Sequence, residues 1–313
     1  MRKIAVWHEF GGAIVDYLVP QLPDDEVAAY QNEEAFRIGL RDAEILIAGH
    51  FNLDAIKDAP WLRWLQWTNS GIDPLVARQE LFAGLTVSNA AGIHAALMAD
   101  YVMATISYFQ WDIPRLQNNQ RHRRWEPSYT QALQDRTLCV VGLGAVGSEI
   151  ARRGTAARMK VVGVSRSRRA VAGEWRAIEE LDDVLANADF LVVVLPRTAE
   201  TLGLLNARRL ALLPDRSVLI NISRGGIVAE DPLVERLVTG KMRGAAVDVF
   251  DREPLPPDHA LWSLPNVLLT PHISGNDANY ARLVADLFLE NYANYRRGEK
   301  MRTQVDVLGR HPS

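Results

Sequence analysis

Three side chains with useful chemistry stand just past apolar runs in the last third of the chain. Asn221-Ile222-Ser223-Arg224-Gly225-Gly226 carries a guanidinium beyond the run 217–221. Asp248-Val249-Phe250-Asp251-Arg252-Glu253-Pro254 carries carboxylates beyond the run 244–248, and Thr270-Pro271-His272-Ile273-Ser274-Gly275 carries an imidazole beyond the run 267–270. If these runs are strands of one parallel sheet, all three groups leave its carboxyl edge, where α/β sheets bind ligands. A guanidinium grips a carboxylate, an imidazole exchanges a proton, and a carboxylate beside the imidazole favours its charged form. That combination suits a small carbonyl acid. A lone Arg or His is more often structural; three at successive strand ends make coincidence the weaker reading.

A second pattern lies near the middle of the chain, Val140-Val141-Gly142-Leu143-Gly144-Ala145-Val146-Gly147. The residues 136–139 before it read as a buried strand, and Ser148 to Arg153 after it read as the first turns of a helix. Strand, G-x-G-x-x-G and helix together let backbone N–H groups and a helix N-terminus meet a pyrophosphate. A site that selects unphosphorylated ribose places Asp or Glu about 20 residues past the glycines. Here the next strand, 160–164, runs instead into Ser165-Arg166-Ser167-Arg168-Arg169. No carboxylate repels a 2′-phosphate there, and hydroxyls and guanidiniums offer it donors and positive charge. NADP(H) is therefore the expected cofactor, with NAD(H) also admitted.

The positioning elements read as two sets of strands alternating with helices, which implies parallel sheets covered on both faces. Residues 4–7, 45–49, 65–68 and 86–89 form the first set, with a helix beginning near 12–18. Residues 160–164, 190–195, 217–221, 244–248 and 267–270 follow the glycine turn, and 276–297 reads as a long helix. The segment 94–110 is too continuously apolar for one stripe on a surface helix and is expected to be buried between domains or subunits. Trp61, Trp64 and Trp67 read as a packed helix-to-strand corner, and Trp262 equally as core or as the substrate end. Arg121-His122-Arg123-Arg124-Trp125 reads either as a solvated loop or as an arm that delivers Trp125 to a partner subunit.

Composition narrows the class. The chain has 313 residues, 48% of them hydrophobic and 23% charged, as in a globular protein of two domains. A net charge of -3 with scattered Lys and Arg argues against nucleic-acid binding. No apolar run approaches the ~20 residues of a membrane span, and the N-terminus lacks a signal-peptide core, so a cytoplasmic protein is expected. The single cysteine, Cys139, reads as a core thiol rather than a nucleophile. No metal site is expected.

The chain resembles the D-isomer-specific 2-hydroxyacid dehydrogenase family over essentially its whole length. The glycine turn and the Arg224, Glu253 and His272 segments carry the resemblance, with 29 residues from Arg224 to Glu253 and 19 from Glu253 to His272. Asn89-Ala90-Ala91-Gly92 and Leu195-Pro196-Arg197-Thr198-Ala199-Glu200-Thr201 look like further family segments. Ser165-Arg166-Ser167, the run Arg252 to Pro257, and Gly298-Glu299 leading to Gln304-Val305-Asp306 favour the branch of NADPH-using glyoxylate/hydroxypyruvate reductases. The resemblance implies two doubly wound parallel-sheet domains, a Rossmann nucleotide domain (98–274) inserted into a flavodoxin-like substrate domain (1–97 and 275–313). It places hinges near Leu97 and Gly275, and the helix after His94 in the interface of a homodimer.

The resemblance also implies roles. Hydride would pass from NADPH to a 2-oxo acid, His272 protonating the developing alkoxide while Glu253 holds the ring. Arg224 would bind carboxylate and carbonyl oxygens, with Ser70, Gly71 and Ile72 contributing to the substrate site from the other domain. The residues from Gly142 to Gly147, Ser165 to Ser167, Leu195, Pro196, Thr201, Ile222, Ser223, Arg224, His272 and Gly275 would line the cofactor, and Asp248 would orient the nicotinamide amide. Two rivals stay open: a dehydrogenase of another acid, of phosphoglycerate or phosphite type, and a non-enzymatic dinucleotide-sensing corepressor or scaffold. The length is expected to leave no room for the regulatory domain of many phosphoglycerate enzymes. Retention of Arg224, Glu253 and His272 disfavours the sensor.

Overall fold

The computed structural model describes residues 1–308; the final residues of the range 275–313 expected for the substrate domain lie outside it. The chain divides into two compact units, one of Met1–Ile93 with the segment from Asp277 onward, the other of His94–Asn276. Both are α/β.

In the first unit, parallel strands β1 (Lys3–Trp7), β2 (Glu26–Ala29), β3 (Ile45–Ala48), β4 (Trp64–Trp67) and β5 (Thr86–Ser88) lie in the order β5-β4-β3-β1-β2. A short strand, Gln304–Val305, adds antiparallel to β5. β3 and β4 are buried at every position, as strands covered on both faces should be. Side chains alternate between two cores: Leu46, Ala48, Leu65 and Trp67 on one face, Ile45, Ile47 and Trp64 on the other. The helix Tyr280–Arg297 covers the second face, Phe288 stacking on Trp64 at 5.0 Å. A buried polar chain anchors it: Trp64 Nε1 donates to Ser88 Oγ, which donates to Gln66 Oε1, which also accepts from Asn291 Nδ2. Gly298, at φ 68°, ends that helix in the left-handed turn that favours glycine.

The second unit is a seven-stranded parallel sheet of β6 (Thr137–Val141), β7 (Lys160–Ser165), β8 (Glu174–Ala177), β9 (Phe190–Val193), β10 (Val218–Asn221), β11 (Gly244–Val247) and β12 (Val267–Leu269). Its order is β12-β11-β10-β9-β6-β7-β8, with the reversal at β6. Alternate residues again feed separate cores, Cys139, Val141, Leu191 and Val193 against Leu138, Val140, Phe190 and Val192.

Several expectations need correction. β2, β8 and Gln304–Val305 are not apparent in the sequence because they are edge strands. β8, for example, shows no continuous apolar run and buries only alternate side chains in part. Trp61 is 64% exposed and does not join Trp64 and Trp67 in the core. The helix Ala95–Gln110 does have one buried stripe, Ala99, Val102, Ile106 and Phe109, which shares a core with Ile150 and Ala151 of the helix Ala145–Ala156. Ala96, Asp100 and Ala104 on its other side are exposed. Because that helix is continuous from Ala95, the first passage between units falls at Ile93, ahead of Leu97.

Candidate active site

In the second unit, Arg224, Glu253 and His272 follow β10, β11 and β12, so all three leave the carboxyl edge of one sheet. Glu253 and His272 meet directly, with Oε2 2.9 Å from Nδ1. Glu253 Oε1 accepts the Phe250 N–H at 3.0 Å, which fixes the carboxylate. Burial alone would raise the Glu253 pKa. The His272 hydrogen bond, the Phe250 amide and the charges of His272 and Arg224 outweigh it and hold the carboxyl below its ordinary range. With Nδ1 engaged by a carboxylate, Nε2 is left to face a reacting group.

The loop carrying His272 is built around Asp248. Its Oδ1 accepts from Thr270 Oγ1 at 2.5 Å and Ile273 N at 2.9 Å, and Oδ2 from Ser274 N at 3.0 Å. These contacts hold His272 at φ 54°, a conformation non-glycine residues seldom adopt. Tyr101 OH lies 2.9 Å from Thr270 Oγ1 and extends the network. Asp248 is 0% exposed, and both its carboxylate oxygens are engaged by the loop it holds. Nothing in the sequence singled out Tyr101 or Thr270 for this work.

Arg224 leaves a tight turn. Asn221 Oδ1 accepts the Ser223 N–H at 3.2 Å and the Ser223 hydroxyl, so Asn221, Ile222 and Ser223 are buried supports. Arg224 Nη1 donates to Ser223 O at 2.7 Å. The Arg224 and Glu253 loops are tied together: Asp251 Oδ1 accepts the Gly226 N–H at 2.5 Å, and Glu230 Oε1 accepts the Asp251 N–H at 2.6 Å. A Cβ on Gly225 would collide with the Phe250 carbonyl oxygen, so the two loops approach only because that residue is glycine.

The glycine turn follows β6, at the strand-order reversal between β6 and β9. Gly142 and Gly147 are required by the protein itself. A Cβ on the first would strike Val194 O, and on the second Gly142 O. Gly144 differs: a Cβ there would meet nothing within 4 Å. That open space, beside the first amides of the helix Ala145–Ala156, suits close approach of a phosphate. Gly144 and Ala145 are exposed and Val146 half-buried, whereas Leu143 is buried and packs over Gly163.

Beyond β7, Arg166, Ser167 and Arg168 are exposed. The Ser165 hydroxyl is already committed, donating to Ser167 O at 2.8 Å and accepting from Trp175 Nε1 at 2.9 Å. It shapes the turn, which leaves Ser167 and the guanidiniums as its outward donors. After β9, Leu195 and Pro196 lead into a turn closed by Thr201 Oγ1, which donates to Pro196 O at 2.7 Å and accepts from Thr198 N at 2.8 Å. Gly275 lies against His94 within the same unit, its virtual Cβ 3.7 Å from the ring.

In the first unit, residues 69–72 follow β4. Asn69 O accepts from Ala90 N at 3.1 Å, Ser70 O from Asn89 Nδ2 at 2.7 Å, and Gly71 O from Trp67 Nε1 at 2.8 Å. Three successive carbonyls are thus turned inward. No backbone N–H of residues 69–72 donates a hydrogen bond among the described residues. Unengaged successive amides are an anion-binding arrangement.

Cys139 is buried, and burial pushes its thiol up to about 12, which excludes it as a nucleophile at neutral pH. Among the described residues, no cluster of His, Cys, Asp or Glu is placed to hold a metal, and no helix is long and apolar enough to cross a membrane.

A doubly wound dinucleotide-binding unit with an Arg, Glu and His at its carboxyl edge defines a nicotinamide-dependent oxidoreductase of hydroxy acids. The NAD-binding-domain model of the D-isomer specific 2-hydroxyacid dehydrogenases matches residues 103–274, more than half of the chain. The chain belongs to that family, and it is an oxidoreductase acting on CH–OH groups. It is 29% identical over 320 residues to D-3-phosphoglycerate dehydrogenase of Archaeoglobus fulgidus, covering 99% of this chain but 60% of that protein. It superposes with a TM-score of 0.89 on a D-isomer specific 2-hydroxyacid dehydrogenase of Xanthobacter autotrophicus in complex with NADPH and MES, at 29% identity, covering 98% of this chain and 99% of that one. The NADPH-dependent glyoxylate/hydroxypyruvate reductase of Sinorhizobium meliloti, in complex with NADP and sulfate, gives 0.87 at 26% identity over the same shares.

Proposed function

We propose that the chain reduces a small 2-oxo acid of glyoxylate or hydroxypyruvate type to the D-2-hydroxy acid, with NADPH as the preferred cofactor. The observation that carries this reading is the Glu253–His272 pair, 2.9 Å apart, on the sheet edge that also presents Arg224. The cofactor supplies the hydride when bound. Gly144, Ala145 and Val146 hold its pyrophosphate through backbone amides, and Arg166 and Ser167 meet the 2′-phosphate. His272 Nε2 gives its proton to the substrate carbonyl oxygen, and Glu253 stabilises the resulting ring geometry from Nδ1. Arg224 grips the substrate carboxylate and polarises the carbonyl, while the amides of Ser70, Gly71 and Ile72 supply further donors. Leu195, Pro196, Ile222, Ser223 and Gly275 shape the cofactor cleft.

NADPH preference rests on the carboxylate-free turn at Arg166 and is supported by the NADPH and NADP complexes of the relatives. The chain is further proposed to act as a cytoplasmic homodimer. Trp111 (59% exposed), Trp125 (94%) and Tyr129 (105%) present apolar surface that a second subunit would cover.

The test is NADPH oxidation with glyoxylate, hydroxypyruvate, pyruvate and phenylpyruvate. Turnover of the first two supports the reading; tight NADPH binding without turnover of any acid would favour a dinucleotide sensor. Ser165→Asp is expected to cut the NADPH-over-NADH preference at least tenfold, and an unchanged preference would overturn the cofactor assignment.

A further inference from the structure

Thr270 is held at both ends. Val247 pairs with Leu269 between β11 and β12, so Asp248 and Thr270, the next residue of each, leave the sheet side by side. The Thr270 carbonyl accepts the His272 N–H at 3.0 Å, closing a three-residue turn over Pro271. The Thr270 hydroxyl lies 2.5 Å from Asp248 Oδ1 and 2.9 Å from Tyr101 OH. A shift of Thr270 therefore carries the backbone of His272 with it.

The proton count fixes the direction of these bonds. Asp248 is a carboxylate and only accepts, so the single Thr270 hydroxyl proton goes to Oδ1. One proton then remains for the contact between Thr270 Oγ1 and Tyr101, that of the phenol, and Tyr101 OH donates. Burial, joined by the charge of Asp248, raises the Tyr101 pKa although the Thr270 and Thr105 hydroxyls oppose it, so the phenol keeps its proton at neutral pH. The result is a one-way chain of hydroxyls ending on a fully buried carboxylate, which also accepts the Ile273 and Ser274 N–H groups just past His272.

A threonine hydroxyl is otherwise a rotor that can turn toward a neighbouring carbonyl. Tyr101 stops that rotation from a fixed place. It stands on the helix Ala95–Gln110, where Ala99 and Val102 are 0% exposed in the core shared with Ile150 and Ala151. The phenol thus reaches the His272 loop from an element whose own backbone is locked by packing.

We infer that Tyr101 is a positioning residue for the proposed proton donor: through Thr270 and Asp248 its hydroxyl keeps His272 at φ 54°, the backbone conformation that aims the imidazole. The inference rests on the proposed reduction of 2-oxo acids and adds to it a residue that acts through others.

The test measures kcat, KM and NADPH affinity for Tyr101→Phe, Thr270→Val, Thr270→Ser and the double variant Tyr101→Phe/Thr270→Val, with the acid that the wild-type enzyme reduces best. Tyr101→Phe removes a single hydroxyl. It is expected to lower kcat about tenfold, within the cost of misplacing a reacting group, while KM and the NADPH dissociation constant stay within about threefold. Thr270→Val is expected to lose at least as much, and Thr270→Ser to recover most of what valine loses. In the double variant the losses should not multiply, because both substitutions break one chain. Unchanged kcat in Tyr101→Phe, losses that multiply, or a fall in NADPH affinity matching the fall in kcat would overturn the positioning role while leaving the reductase reading intact. A wild-type enzyme that oxidises no NADPH with glyoxylate, hydroxypyruvate, pyruvate or phenylpyruvate would overturn both.

Discussion

At the scale of single residues, Glu253 and His272 divide one task between two ionisable groups. In the proposed reduction His272 moves the proton, and Glu253, 2.9 Å from Nδ1, fixes which nitrogen does so. His272→Gln is expected to lower kcat by about 10²–10⁴-fold, the usual share of acid–base catalysis, with the NADPH dissociation constant changed less than threefold. Near-normal turnover in that variant would end the proton-donor assignment. The pH dependence follows from the depressed Glu253 pKa. A carboxyl whose folded value lies below its unfolded one contributes stability above the ordinary range and loses it as pH falls through the depressed value. The acid limb of the kcat/KM profile should therefore lie below the ordinary glutamate range, and Glu253→Gln should remove it. Persistence of the same limb in Glu253→Gln would assign it elsewhere.

At the scale of elements, loops after parallel strands are placed by the sheet but aimed by their own hydrogen bonds. Asp251 is the link between the Arg224 and Glu253 loops, accepting from Gly226 and donating through its amide to Glu230. Misplacing a reacting group by an ångström costs up to about 10²-fold in rate. Asp251→Ala is expected to lower kcat about tenfold while NADPH affinity holds within threefold, measured by stopped-flow turnover and fluorescence titration. The glycine turn separates packing from binding in the same way. Gly147→Ala, whose Cβ would strike Gly142 O, is expected to lower the melting temperature by several degrees. Gly144→Ala, with nothing within 4 Å, should melt as the wild type does but bind NADPH at least tenfold more weakly. Equal effects of the two on melting would contradict the open space at Gly144.

At the scale of the whole molecule, ligand binding and assembly become measurable as stability. A ligand at 100 times its dissociation constant stabilises the folded state by about 2.7 kcal/mol. NADPH is expected to raise the melting temperature more than NADH at the same concentration; equal shifts would refute the preference drawn from Arg166 and Ser167. Sedimentation is expected to give twice the 34.9 kDa chain mass, and Trp125→Ala with Tyr129→Ala should shift it toward one chain. A sharp monomer peak from the wild-type protein would refute the dimer.

The sequence by itself determined the central strands, the glycine turn and the positions of Arg224, Glu253 and His272, because strands buried on both faces are continuous apolar runs and chemistry follows their carboxyl ends. The glycine spacing reads as a turn glycine, a glycine that leaves room for phosphate and a packing glycine, and the contacts at Gly142 and Gly147 with open space at Gly144 agree with that reading. The tertiary structure decided what depends on neighbours distant in the chain. Edge strands such as β8 lack a two-sided core and so lack its pattern, and Trp61 differs from Trp64 only in what surrounds it. That Asp248 anchors the His272 loop is decided by partners 22 to 26 residues away.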